Sequence, residues 1–167
     1  MSQSCSAPRA PRAWLDATQQ LMILAGVCVA IVLSGTVYGD DKLASYRIVA
    51  GAIPEPLTEQ PGDPERGRHI VRDHDGGDCT ICHAMPLPQR EFHGTVGPPL
   101  DGIGSRAPAG VLRLRLVDPK ALNPATIMPA YYKVEGLYRV LDRYRARPML
   151  TAQQIEDIIA YLLVLTD

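Results

Sequence analysis

The sequence predicts a small helical domain behind an extended N-terminal arm, and three observations point to it. Thr151-Ala-Gln-Gln154 is a capping box, in which a hydroxyl and an amide side chain satisfy orphan backbone donors. Behind it, Ile155, Ile158, Ile159 and Leu162 follow the i, i+3, i+4, i+7 spacing of one buried helix face. Asp63-Pro64-Glu65 is a second helix start, with an acidic cap, Pro at the first helical position and an acid in the first turn. The chain has 167 residues, room for one ordinary domain.

Apolar residues make up 46 % and charged residues 21 %, a balance that excludes a disordered tail, a collagen-like repeat or a disulfide-dense toxin. A net charge of −1 gives no reason to expect nucleic acid. The chain is loop-rich, with 15 Pro and 14 Gly, and its single Phe and single Trp leave few large side chains to fill a core.

In chain order, residues 1–39 read as an export signal. Arg9 and Arg12 precede an uncharged run from Leu21 to Leu33, and small residues around Val37 and Gly39 suit cleavage after Gly39. The alternative is a retained membrane anchor, because the run to Val37 spans 17 residues. Arg9 and Arg12 are not adjacent, so the twin-arginine route is not indicated. Cleavage would remove Cys5, Cys28 and Trp14 and leave Cys79 and Cys82 as the sole cysteines of a periplasmic product.

Residues 40–62 form the arm, with the apolar stretch Tyr46-Arg47-Ile48-Val49-Ala50 ahead of Pro54, Pro56 and Pro61. The first helix runs from the Asp63 cap to about Arg72, and residues 73–106 read as loop around one short motif. Val111 to Val117 is ambiguous. Its Leu-Arg alternation fits a strand, whereas Pro108 and Asp118-Pro119 would equally bracket a short helix. Asn123 to Tyr132 is another loop. Residues 136–148 carry no clear period, and Asp142-Arg143-Tyr144-Arg145-Ala146-Arg147 within them is unusually basic.

The chemistry lies in Cys79-Thr80-Ile81-Cys82-His83. Two thiols at this spacing can each add to one vinyl group of a haem, and the next residue then places an imidazole beneath the iron. A structural zinc site would need two more ligands at metal spacing, which His69, His74 and His93 do not provide. A thioredoxin-like pair would need a strand–helix setting, which Gly76-Gly77-Asp78 does not supply.

The sixth iron ligand is expected from Met128, 45 residues after His83 and followed by the stiffening Pro129. Met85 is too near His83 to reach the opposite haem face, since two residues span only about 7 Å. Met149 reads as a core filler ahead of the last helix, and the other histidines as surface or loop residues. A thioether ligand raises the iron potential and fills the coordination sphere, which points to electron transfer. The Pro98 carbonyl is the expected acceptor for the second His83 N–H. A buried porphyrin would also supply the apolar area that the side chains lack, at about 25 cal/mol per Å².

Gly67 with Val71, Cys79 to His83, Gly97-Pro98, Gly104-Ser105-Arg106, Met128-Pro129 and Ala160-Tyr161-Leu162 resemble class I cytochrome c over about residues 63–167. The resemblance implies an all-α fold, three to five helices wrapped around one covalent haem c. It also implies close packing of Gly67 on Tyr161, support of a haem propionate by Arg106, and a place for Tyr131 at the cofactor. Within that class, Tyr46 to Pro54, Gly94 to Arg106, Val117-Asp118-Pro119, Asn123 to Tyr132 and Leu150 to Leu162 resemble the SoxX family. These are the monohaem subunits of SoxAX sulfur-oxidation cytochromes. This likeness decides Val111–Val117 in favour of helix.

The SoxX likeness implies a heterodimer with a larger SoxA-type c-type cytochrome, acting as an L-cysteine S-thiosulfotransferase. Thiosulfate is joined to a cysteine of a sulfur-carrier protein, releasing a proton and two electrons. The catalytic haem and cysteine belong to the larger subunit. The SoxX-like chain passes the electrons to a small cytochrome, and no catalytic residue is expected in it. A free diffusible cytochrome c is the alternative, and the apolar, Pro-rich arm argues against it. A haem peroxidase would need an open sixth position, against which Met128 argues.

Overall fold

A computed structural model describes residues 43–88 and 92–166, and the expected leader, its cleavage site, Cys5, Cys28 and Trp14 lie outside the described residues. Among the described residues, four α-helices carry the fold: α1 (Pro64–Ile70), α2 (Ile103–Arg106), α3 (Ala109–Val117) and α4 (Ala152–Val164). Three 3₁₀ turns, Cys79–Ile81, Pro119–Ala121 and Asp142–Tyr144, punctuate the loops. Among the described residues the only extended pairing is an isolated bridge between Val49 and Ala52.

Helix α1 starts where the sequence places it. The Asp63 carboxylate accepts from the backbone N–H groups of Glu65 and Arg66. It stops at Ile70 rather than Arg72: the Val71 N–H still donates to the Gly67 carbonyl, but the Arg72 and Asp73 N–H groups turn to the carbonyls of His69 and Ile70, three residues back. The α1 backbone then lies directly on α4. A Cβ on Gly67 would fall 2.0 Å from the Asp157 carbonyl oxygen and 2.8 Å from the Tyr161 Cβ, so only glycine fits there.

Helix α4 has both halves of its capping box, Thr151 with Gln154. Leu150 and Ile155, both buried, form the hydrophobic staple at its start. Ile155, Ile158, Ile159 and Leu162 are buried as the period requires. Two acids between them, Glu156 and Asp157, are buried as well.

The ambiguous Leu-Arg-Leu-Arg-Leu segment is helix α3, and its period was obscured because nearly the whole helix is covered. Leu112, Arg113, Leu114, Leu116 and Val117 are all buried. The arm supplies part of that cover. Ile53 (1 % exposed) and Leu57 belong to the core, the Ile53 N–H donates to the Gly110 carbonyl at 2.9 Å, and the Ala44 N–H donates to the Tyr132 hydroxyl at 2.7 Å.

A buried ion pair clamps this junction. The Arg113 guanidinium donates to both Glu156 carboxylate oxygens, at 2.7 and 2.8 Å, and to the Ile53 carbonyl at 2.7 Å. The Leu57 N–H donates to Glu156 at 2.9 Å. Among the described residues, no helix is long and apolar enough to cross a membrane.

Candidate haem-binding site

The cysteine motif is a single tight turn fixed at both ends. Asp78 caps it, accepting from the Thr80 N–H at 3.1 Å and from the Thr80 hydroxyl. The Asp78 side chain is itself buried and paired with His74 at 2.7 Å. The Cys79 N–H donates to the Val71 carbonyl at 2.9 Å, which hangs the turn from the end of α1. The His83 N–H donates to the Cys79 carbonyl at 2.9 Å, an i to i+4 bond. Cys79, Cys82 and His83 therefore share one face of a helical turn. Sequence reading missed Asp78, although an Asp two residues before Thr is a recognisable turn-capping signal.

The loop from Gly94 to Leu100 folds back over this turn. The Gly97 N–H donates to the Cys82 carbonyl at 2.8 Å, and the Leu100 N–H donates to the Ala84 carbonyl at 2.9 Å. His83 Nδ1 lies 2.7 Å from the Pro98 carbonyl oxygen. A carbonyl only accepts, so Nδ1 carries the proton and Nε2 keeps its lone pair for a metal. The ring is seated on Gly97, where a Cβ would fall 2.3 Å from its Cε1. The Arg106 guanidinium braces the same loop, donating to the carbonyls of Asp101 (2.6 Å), Pro99 (3.0 Å) and Gly102 (3.2 Å).

Both thiols are free and half-buried. Desolvation, then the Asp78 charge, pushes the Cys79 thiol up to about 12, so it stays a neutral thiol at physiological pH. Its Sγ–H donates to the Gly77 carbonyl at 3.0 Å.

Tyr131, in the second half of the chain, packs against the core. Its N–H donates to the Leu116 carbonyl, and its carbonyl accepts from the N–H groups of Met149 and Leu150. Burial first, then interaction with the acidic groups of Cys79, Cys82 and Asp78, pushes its phenol well up from the usual tyrosine range. Met128, three residues earlier in the same loop, is half-buried against the core, and its N–H donates to the Thr126 hydroxyl at 3.2 Å.

The other methionines and histidines have different occupations. Met85 is buried in the core, and its N–H donates to His93 Nδ1. His69 contacts Arg72, and His74 pairs with Asp78. Among the described residues, no group of three His, Cys, Asp or Glu side chains could hold a metal ion. Two thiols on one face, beside an imidazole whose Nδ1 is engaged and whose Nε2 is open, fit a covalently attached haem c.

No protein-family model matches the chain, and no curated protein matches it. Solved structures do. A chain of SoxXA from P. pantotrophus is 40 % identical, with a TM-score of 0.68, and the match covers 73 % of this chain and 95 % of that one. Ferric cytochrome c-550 from Paracoccus versutus matches at 15 % identity and a TM-score of 0.35, covering 64 % of this chain and 99 % of that one. With that identity over nearly the full length of the SoxXA chain, and an all-α fold built around the cysteine–histidine turn, the chain belongs to the SoxX family of class I c-type cytochromes.

Proposed function

We propose that this chain is the electron-accepting, monohaem subunit of a periplasmic SoxAX-type complex. In that complex thiosulfate is coupled oxidatively to a cysteine of a carrier protein by an L-cysteine S-thiosulfotransferase. The observation that carries the reading is the 40 % identity to a chain of SoxXA over 95 % of that chain. Haem c, when bound, supplies a one-electron couple.

The chain's own residues have separable roles. Cys79 and Cys82 would hold the haem by thioether bonds, and His83 and Met128 would ligate its iron. The Pro98 carbonyl fixes the tautomer and direction of His83, and Gly97 leaves room for the ring. Arg106 supports a propionate from the loop that it already braces. Tyr131 would contribute to the cofactor pocket. With the leader that carries Cys5 and Cys28 removed, no cysteine nucleophile remains for the sulfur chemistry, since Cys79 and Cys82 serve the cofactor, so the coupling step belongs to a larger SoxA-type subunit. The electrons pass on to a small cytochrome.

The arm supports a permanent partner. Val49 and Ala52 exchange both backbone hydrogen bonds around Ala50-Gly51, with φ of 48° and 77°. That tight turn presents Tyr46, Ile48 and Val49 to solvent at 36, 44 and 48 % exposure. Such an apolar edge has no use in a freely diffusing carrier and suits a subunit contact.

The test is the native mass of the tagged protein from its own host grown on thiosulfate. Co-migration with a second, larger c-type cytochrome is expected. A lone monohaem monomer would instead support the diffusible-carrier reading.

A further inference from the structure

The site makes no use of residues 136–148, yet this segment has a fixed and strongly one-signed surface. Arg139, Arg143, Arg145 and Arg147 are all exposed, and residues 136–148 contain a single acid, Asp142, in a chain whose net charge is −1. Among the described residues only Arg145 of the four has a carboxylate partner, Asp142 at 2.7 Å. Two apolar side chains stand among them, Tyr138 at 90 % and Leu141 at 63 % exposure.

The segment holds its shape. The Tyr144 N–H donates to the Leu141 carbonyl at 2.8 Å, and the Arg143 guanidinium lies 5.0 Å from the centre of the Tyr144 ring. Arg139 and Ala146 both adopt left-handed backbone, at φ 58° and 57°. Non-glycine residues are disfavoured in that region and persist only where the surroundings enforce them. The Tyr144 hydroxyl donates to the Asp75 carbonyl at 3.0 Å, fastening the segment to the loop that leads into the cysteine turn.

We infer that the surface formed by residues 138–147 is a docking site for an acidic protein. Arginines, three of the four with no carboxylate partner among the described residues, interleaved with exposed Tyr and Leu are the composition of a protein contact. The positive local charge on an otherwise acidic chain selects carboxylate-bearing partners and steers their approach. A nucleic acid would require a far larger set of phosphate contacts, against the repulsion of the remaining surface. The inference stands on this surface alone and does not depend on the sulfur-oxidation reading.

The test uses the holoprotein and immobilised poly-L-glutamate at low ionic strength, with unchanged haem absorbance and melting as the check on folding. R143E/R147E is expected to weaken binding about tenfold, and Y138A/L141A, which alters no charge, about threefold. R47E/R115E imposes the same change in net charge elsewhere on the surface and is expected to change binding less than about twofold. Should the charge reversals not yield holoprotein, R143Q/R147Q is expected to weaken binding about threefold. Equal weakening by R47E/R115E, or no effect of R143E/R147E or its Gln counterpart, overturns the inference. So does binding to phosphatidylglycerol vesicles or duplex DNA as strong as to poly-L-glutamate and lost in the same variants, which would mark a general anion surface.

Discussion

Removing Arg113 while keeping its partner should be among the most destabilising single changes in the chain. In Arg113→Met the methylene volume is largely kept, but the Glu156 carboxylate, 6 % exposed, loses its bidentate partner. The Ile53 carbonyl, in a residue 1 % exposed, loses its donor at the same time. Stranding one member of a buried ion pair costs about 3–5 kcal/mol, and an orphaned carbonyl about 1 kcal/mol more. For a domain of this size about 4 kcal/mol corresponds to a fall in melting temperature on the order of 15 °C. Adding Glu156→Gln removes the stranded charge yet keeps an acceptor for the Leu57 N–H. The double variant should therefore recover about half of the loss. Thermal denaturation of the holoproteins by circular dichroism measures both. If R113M/E156Q melts no higher than R113M, the cost does not come from an uncompensated carboxylate and the reasoning fails.

Three further changes probe the helix contact, the cofactor and the acid limb. Gly67→Ala drives a Cβ to 2.0 Å from the Asp157 carbonyl oxygen. Overpacking should outweigh the gain of about 1 kcal/mol in helix propensity and cost about 2 kcal/mol net, so a variant as stable as the parent would refute that contact. Met128→Ala should lower the reduction potential and let carbon monoxide bind the ferrous protein, and an unchanged spectrum would place the sixth ligand elsewhere. Asp157 is pulled in two directions: burial raises its pKa, but hydrogen bonds from Arg66, the Asp63 N–H and Gln153 outweigh it and hold the group below the usual carboxylate range. A depressed folded-state pKa contributes stability above about pH 4 that is lost as pH falls further. Asp157→Asn should therefore be less stable at pH 7, with a shallower decline in acid, and parallel acid profiles would contradict the assignment.

What could be read from the residues follows from the range over which each signal acts. The caps at Asp63 and Thr151 are local chemistry, and both helices begin at them. The cysteine–histidine motif is equally local, and so is the turn that carries Pro98. Helix α3 was unreadable by period, because amphipathic period is lost when the arm and α4 cover most of a helix's circumference. The burial of Arg113, Glu156 and Asp157 was equally hidden, since apart from Gln153 their partners lie between 43 and 99 residues away in sequence. Gly97 was legible as part of a turn but not as the seat of His83, because only the return of the loop across the ring imposes that requirement.

These long-range polar contacts bear on how a chain with few aromatics positions a demanding site. Apolar packing alone is weakly directional, so it does not by itself fix the register of α1, α3 and α4 or the path of the arm. Here the directional bonds do so. Arg113 and Glu156 join the arm, α3 and α4 at one point, and Asp157 joins Arg66 and the Asp63 N–H to α4 at the next residue. The Val71 carbonyl, at the end of the helix thus fixed, accepts from the Cys79 N–H. The orientation of the cysteine turn is therefore coupled to polar contacts on α4. Disturbing Asp157 should alter the mobility of the His83 ring, as well as the stability of a helix pair that lies elsewhere in the fold.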